Sequence, residues 1–265
     1  MFTRFQLIQK WLRYYLSAFN GKGHGIHSPF VFDFVKNVLR DKKKYDHYSV
    51  IETARQKLLK QNDEIEVADF GAGSSVIKTS RRKISGIASS SLKPAKYAQL
   101  LYRIVKYYRP AKILELGTSF GITSSYLAAA NPNAKLFTIE GSSAIACIAC
   151  KTFREIGLNN IELIEGDFNN VLPSLLTGPG PIGLAFIDGN HRKEPTLDYF
   201  RQLLQHSAAS TILIFDDIHW SNEMEEAWIE IQQSPQVTLT IDLFFIGIVF
   251  VNPDFKIKQE FVIRF

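Results

Sequence analysis

The spacing of apolar residues changes character at Ala111. From there onward, short apolar runs alternate with longer segments of helical spacing, and the connections between them are short. Ala111–Leu116 reads as a buried strand, because Ile113, Leu114 and Leu116 crowd into six residues. Gly117-Thr118-Ser119-Phe120-Gly121 then turns tightly, and Ile122–Ala130 has the small, apolar composition of a packed helix. Further strands are expected at Leu136–Glu140, Ile161–Glu165, Ile182–Asp188 and Thr211–Asp217, with helices between them. After a last helix at Asn222–Gln232, the runs Val237–Phe244 and Ile246–Val251 stand too close for a crossover helix and form an antiparallel pair. Gln259–Arg264 is a candidate edge strand. The pattern predicts an α/β fold with a Rossmann-like sheet of seven strands, five parallel and closed by an antiparallel C-terminal hairpin.

The chain before Pro94 reads differently. Phe2–Phe19 forms an aromatic-rich amphipathic helix with Phe5, Ile8, Leu12, Tyr15 and Leu16 on one side. Packing against its own domain is the default expectation, with a membrane or a second subunit as alternatives. Ser28-Pro29 starts a second helix that runs to about Arg40, and a third spans about Ser49 to Gln61. Asp69-Phe70-Gly71-Ala72-Gly73 looks like a nucleotide loop, but the polar, basic run after it lacks helical apolar spacing. That segment is read as a loop covering the active site. Pro94–Tyr108 returns to helical spacing through Tyr97, Leu101, Ile104 and Val105. Residues 1–92 therefore form a helical N-terminal extension and covering loop, and residues 93–265 the main domain.

Composition narrows the function classes. The 265 residues are 46% hydrophobic, which suits a globular core, and no apolar run reaches the roughly 20 residues of a spanning helix. The basic residues among the first twenty exclude a signal-peptide core. Cys147 and Cys150 are the only cysteines, so a disulfide framework is excluded and a cytoplasmic location is expected. Charge is uneven: 21 Lys and Arg face 8 Asp and Glu before Ala111, against 10 and 18 afterwards. A basic front half keeps a nucleic-acid partner in view.

Glu115, Gly117, Ser119 and Gly121 stand in an E-x-G-x-S-x-G arrangement that resembles the first motif of class I S-adenosylmethionine (SAM) methyltransferases. The antiparallel ending of the sheet resembles the same superfamily. The resemblance implies that Glu115, Gly117, Thr118, Ser119 and Gly121 bind SAM, whose carboxylate would meet free N–H groups at the glycine turn. Glu140, at the second strand's end, is placed to accept both ribose hydroxyls, and Asp167, after the third, to accept from the adenine amino group. Each of these acids taken singly could instead cap a helix.

Asp188-Gly189-Asn190-His191 ends the fourth strand and Asp216-Asp217-Ile218-His219-Trp220 the fifth. Three carboxylates, Asp188, Asp216 and Asp217, converge at one rim, and an oxygen-preferring divalent ion, Mg²⁺ first, relieves their repulsion. The arrangement resembles the metal-dependent O-methyltransferases, both the catechol type and the bacterial macrolide-sugar type. It implies a metal held by those three, with Asp188 also serving the cofactor, and methyl transfer to a hydroxyl of a small molecule. His219 is favoured as the base, with His191 the rival. Two alternatives stand beside this reading. One is an RNA or other macromolecule methyltransferase working through the basic N-terminal part, and the other a non-catalytic SAM-binding partner module. The N-terminal helices are candidates for a homodimer contact.

Overall fold

The computed structural model describes residues 1–23, 25–69 and 78–265. Thr3 opens α1 (Arg4–Ser17) with a reciprocal capping box, its hydroxyl taking the N–H of Gln6 while the Gln6 side chain takes that of Thr3. α2 (Pro29–Phe34) begins on Pro29 and runs into a π-helical turn at Val35–Leu39. Then come α3 (Asp46–Lys60), β1 (Glu64–Asp69), β2 (Lys78–Lys83), α4 (Ile84–Ser91) and α5 (Ala95–Tyr108). Strand and helix alternate thereafter: β3 (Lys112–Leu116), α6 (Ile122–Ala130), β4 (Lys135–Glu140), α7 (Ser143–Ile156), β5 (Ile161–Glu165), α8 (Phe168–Leu176) and β6 (Ile182–Ile187). The chain ends with α9 (Lys193–Gln205), β7 (Ser207–Asp216), α10 (Asn222–Gln233), β8 (Leu239–Asp242), β9 (Ile246–Phe250) and β10 (Gln259–Val262).

The central sheet has eight strands in the order β10-β8-β9-β7-β6-β3-β4-β5. β3, β4 and β5 pair in parallel, as do β6 and β7, while β9 runs antiparallel to both β7 and β8. This is the expected parallel sheet with an antiparallel end, and β10, parallel to β8, supplies the candidate edge strand as an eighth.

Two compact units divide the chain, one of residues 42–178 and one of residues 1–41 with 179–265. In the first, α5, α6 and α7 bury apolar faces, and α6 is buried along its whole length. Tyr126 on α6 donates its hydroxyl to Glu52 on α3 at 2.8 Å, and Glu52 also pairs with Arg55 at 3.0 Å. In the second, β9 is wholly buried, as is β7 from Thr211 to Asp216, and Gly247 on β9 leaves room for the Trp228 ring, which would lie 2.6 Å from an added Cβ.

One segment departs from the loop expected of it. Lys78–Lys83 is a strand paired antiparallel with Glu64–Asp69, setting Glu64 opposite Lys83 and Glu66 opposite Arg81, and Ile84–Ser91 is a helix that buries Ile84, Ile87 and Ala88. Opposite charges across the ribbon stand in for the apolar alternation that would have announced it. The glycines of the D-x-G-x-G stretch and the cover expected of that segment fall on residues 70–77, outside the described residues, as does His24.

Candidate functional site

In the unit of residues 42–178, β3 delivers Glu115 and the turn after it. The turn needs three left-handed residues, Gly117 (φ 104°), Ser119 (φ 49°) and Gly121 (φ 79°). A Cβ on Gly121 would lie 2.4 Å from Cε1 of Phe153 on α7, so this glycine is required by close helix packing.

The N–H groups expected to await a ligand are turned inward. Gly117 and Thr118 donate to the Ile139 carbonyl at 3.1 and 3.2 Å, and Gly121 donates to the Thr118 carbonyl at 3.0 Å. Ser119 N–H reaches Oε2 of Glu140 at 2.9 Å. These four amides thus find their partners within the fold. Glu115 is fully buried beneath the turn, where its Oε2 accepts hydroxyls from Ser124 and, at 2.7 Å, from Thr138. Thr138 in turn lies 2.7 Å from the Thr118 hydroxyl. Glu115 thus braces the turn from below.

Glu140 sits where the sequence places it, at the carboxyl end of β4. The Ser119 N–H fixes one oxygen and the Ser142 N–H the other at 3.0 Å, which leaves each oxygen further lone pairs. Burial raises its pKa above the usual carboxylate value, against the lowering effect of the Ser142, Ser119 and Gly141 amides. Gly166 (φ 151°) donates its N–H to the Glu140 carbonyl at 3.0 Å. Asp167 next to it caps α8, taking the Asn169 N–H at 2.9 Å, so the capping role is the one its geometry displays.

In the other unit, β6 and β7 run parallel with Ile187 opposite Phe215, which brings Asp188 and Asp216 side by side just past the paired positions. His191 joins them. One ligand atom from each of Asp188, His191 and Asp216 lies within 4.8 Å of the other two, and His191 Nε2 stands 3.8 Å from Asp188 Oδ1. Asp216 is 2% exposed, a depth at which a carboxylate needs compensating partners. Asn190 (φ 54°) anchors the loop by donating its amide to the Tyr199 hydroxyl at 3.2 Å. The two carboxylates suit an oxygen-preferring divalent cation such as Mg²⁺ or Mn²⁺, with the imidazole beside them.

Two sequence-assigned residues fall outside the cluster. Asp217 has a left-handed backbone (φ 53°), with its N–H on the Phe245 carbonyl at 2.7 Å, and it is not among the three converging groups. His219 is held between acids, its Nε2 2.8 Å from Asp242 Oδ2 and its Nδ1 3.0 Å from Glu225 Oε1. Burial, the largest influence, pulls its pKa down. Asp242 and then Glu225 outweigh that pull, and the net pKa is raised. With both nitrogens engaged and the proton favoured, the ring has no lone pair for a substrate. The rival candidate, His191, stands instead beside Asp188. The sequence reading missed Asp242 and Glu225, although an acid closing the apolar run Leu239–Ile241 is a visible signal.

Residues 114–218 match a family model described as a methyltransferase domain. A transmembrane O-methyltransferase homolog of Mus musculus is 38% identical over 89 residues, 32% of this chain and 34% of the relative. The transmembrane O-methyltransferase of Homo sapiens is 37% identical over 91 residues, 33% of this chain and 31% of its own. The chain thus spans about a third of the length of these curated relatives. Among solved structures, an O-methyltransferase of Streptomyces achromogenes involved in tomaymycin synthesis, in complex with SAM, superposes with a TM-score of 0.58 at 19% identity. It covers 82% of this chain and 95% of its own. An O-methyltransferase from Bacillus cereus in complex with SAH gives 0.56 at 20% identity, covering 83% and 97%.

Proposed function

We propose that this chain, which has the class I methyltransferase fold and carries a methyltransferase domain over residues 114–218, transfers a methyl group from SAM to a hydroxyl oxygen of a small molecule, assisted by a divalent cation. The observation that carries the reading is the convergence of Asp188, His191 and Asp216 past the carboxyl ends of neighbouring parallel strands. Ligands bind at that edge of such sheets. The designation of the relatives as O-methyltransferases supports oxygen as the accepting atom.

SAM supplies an electrophilic methyl on a sulfonium, and a divalent cation supplies acidification of a nearby hydroxyl. The chain's own residues do the rest. Glu140, fixed by two backbone amides and able only to accept while ionised, holds the ribose hydroxyls. Asp188 and Asp216 hold the cation as oxygen ligands. His191 beside them takes the proton from the acceptor hydroxyl, the commonest task of histidine in catalysis.

The test is a calorimetric titration with SAM, followed by chromatography for S-adenosylhomocysteine across catechols and other hydroxylated acceptors, with Mg²⁺, Mn²⁺ or EDTA. Saturable SAM uptake and cation-dependent product support the proposal. Absence of SAM uptake, or turnover indifferent to EDTA, overturns it in whole or in its metal component.

A further inference from the structure

α1 uses little of its surface to hold itself in place. Tyr14 and Ala18 are buried against Phe244, with Phe245 and Val262 alongside. Phe5, Ile8, Trp11, Leu12, Tyr15 and Leu16 all remain exposed, Phe5 at 68% and Leu16 at 77%. At 3.6 residues per turn these six fall within an arc of about 140°, an apolar face that also holds Arg4 in its first turn and is directed away from the Tyr14 side that anchors the helix. A monomeric soluble protein rarely leaves such a face open without a partner for it.

Charge selects the occupant. The first 32 residues contain no Asp or Glu. Arg4 and Arg13 are exposed, and the Arg264 guanidinium lies 4.6 Å above the Tyr15 ring, donating to the Leu16 carbonyl at 3.4 Å. Lys10, on another side, is held by Glu225 at 2.8 Å. The open face thus holds or adjoins three arginines with no acid on the helix to answer them. A second copy docked through the same face would set arginine against arginine. Anionic headgroups complement it instead, and the Trp11–Tyr15 stack, 5.2 Å between centroids, is of the kind that sits at headgroup level. Fourteen residues span about 21 Å, short of the roughly 30 Å of a hydrocarbon core.

We propose that α1 is an in-plane membrane anchor that seats its apolar face in a bilayer surface bearing anionic lipid. It would hold the protein at a membrane by apolar burial together with arginine–headgroup attraction. This inference stands apart from the catalytic reading.

The test is flotation of the full chain with vesicles of phosphatidylcholine alone and of phosphatidylcholine with about one third phosphatidylglycerol. Co-flotation is expected only with the anionic vesicles. The exposed pair Leu12→Glu with Leu16→Glu should abolish it at an unchanged melting temperature, and Arg4→Gln with Arg13→Gln should weaken it about 30-fold. Blue-shifted emission on binding should vanish in Trp11→Phe while Trp220 and Trp228 report no change. Failure to float with anionic vesicles overturns the proposal, as does equal flotation with the neutral ones. A dimer in sedimentation equilibrium that Leu12→Glu with Leu16→Glu dissociates, without any vesicle binding, assigns the face to a second copy and overturns it as well.

Discussion

His219 Nε2 stands 2.8 Å from Oδ2 of Asp242, whose other oxygen takes the Phe244 N–H at 2.7 Å. The imidazole thus ties the segment after β7 to the turn between β8 and β9, and its ring stacks on Phe244 at 5.1 Å. On the opposite side Glu225 joins the ring to Lys10 of α1. The arrangement is a four-residue chain of alternating charge that locks secondary structure together.

A pH dependence follows from the raised His219 pKa. The unfolded chain releases this proton near 6.5, and the native state holds it to higher pH. Its stabilisation is therefore complete below about pH 6.5 and disappears as pH rises through the native value. Urea unfolding of His219→Gln should show a loss of about 2 kcal/mol at pH 6, shrinking at alkaline pH. A deficit that grows with pH would contradict the assignment.

Gly121 tests the turn without touching chemistry. Gly121→Ala meets the Phe153 ring and also places a Cβ on a left-handed residue, for a combined cost of about 3 kcal/mol. Adding Phe153→Leu should relieve the clash and leave the backbone cost of about 1–2 kcal/mol. Thermal unfolding of the single and double variants separates the two contributions. Equal melting temperatures for both variants would show that the Phe153 ring yields without cost.

The central strands β3 and β6 were legible because burial on both faces makes them apolar runs, and β5 and α6 begin and end where the pattern says. β1 and β2 were hidden because opposite charges such as Glu66 and Arg81 face each other across the ribbon in place of apolar alternation, and that facing exists only once the register is known. The site follows the same division. Asp188 and Asp216 could be brought together from strand order alone. The distinction between His191 and His219 could not, because Asp242, which engages His219, lies 23 residues further along and meets it only in the folded state. The spacing of Gly117 and Gly121 was visible, but the reason Gly121 must be glycine is a ring on the following helix.

Glu140 provides a pH test of nucleoside binding. Ribose hydroxyls need an ionised carboxylate, and burial has moved its protonation upward, so SAM affinity should fall as pH drops from neutrality and begin falling above the ordinary carboxylate range. Glu140→Gln should bind SAM about 10- to 100-fold more weakly at pH 7 and lose that acid dependence. Calorimetry at several pH values reads both. An unchanged affinity in Glu140→Gln would remove this residue from the nucleoside site.

Under the proposed function, cation binding and proton removal fall on different side chains. Asp188 and Asp216 sit at adjacent strand ends, whereas the Asp217 backbone turns left-handed and leaves the cluster. Asp188→Asn and Asp216→Asn should therefore weaken Mn²⁺ binding, followed by electron paramagnetic resonance, by about 10- to 100-fold. Asp217→Asn should stay within about threefold of the parent, since it leaves that shell intact. His191→Gln should lower turnover by about 10²- to 10⁴-fold, the usual share of a positioned base, with Mn²⁺ affinity largely kept. If His191→Gln loses the ion as completely as Asp188→Asn does, His191 is a third ligand and the proton must leave by another route. If Asp217→Asn loses it too, the three-aspartate set read from the sequence stands in place of the cluster seen in the fold.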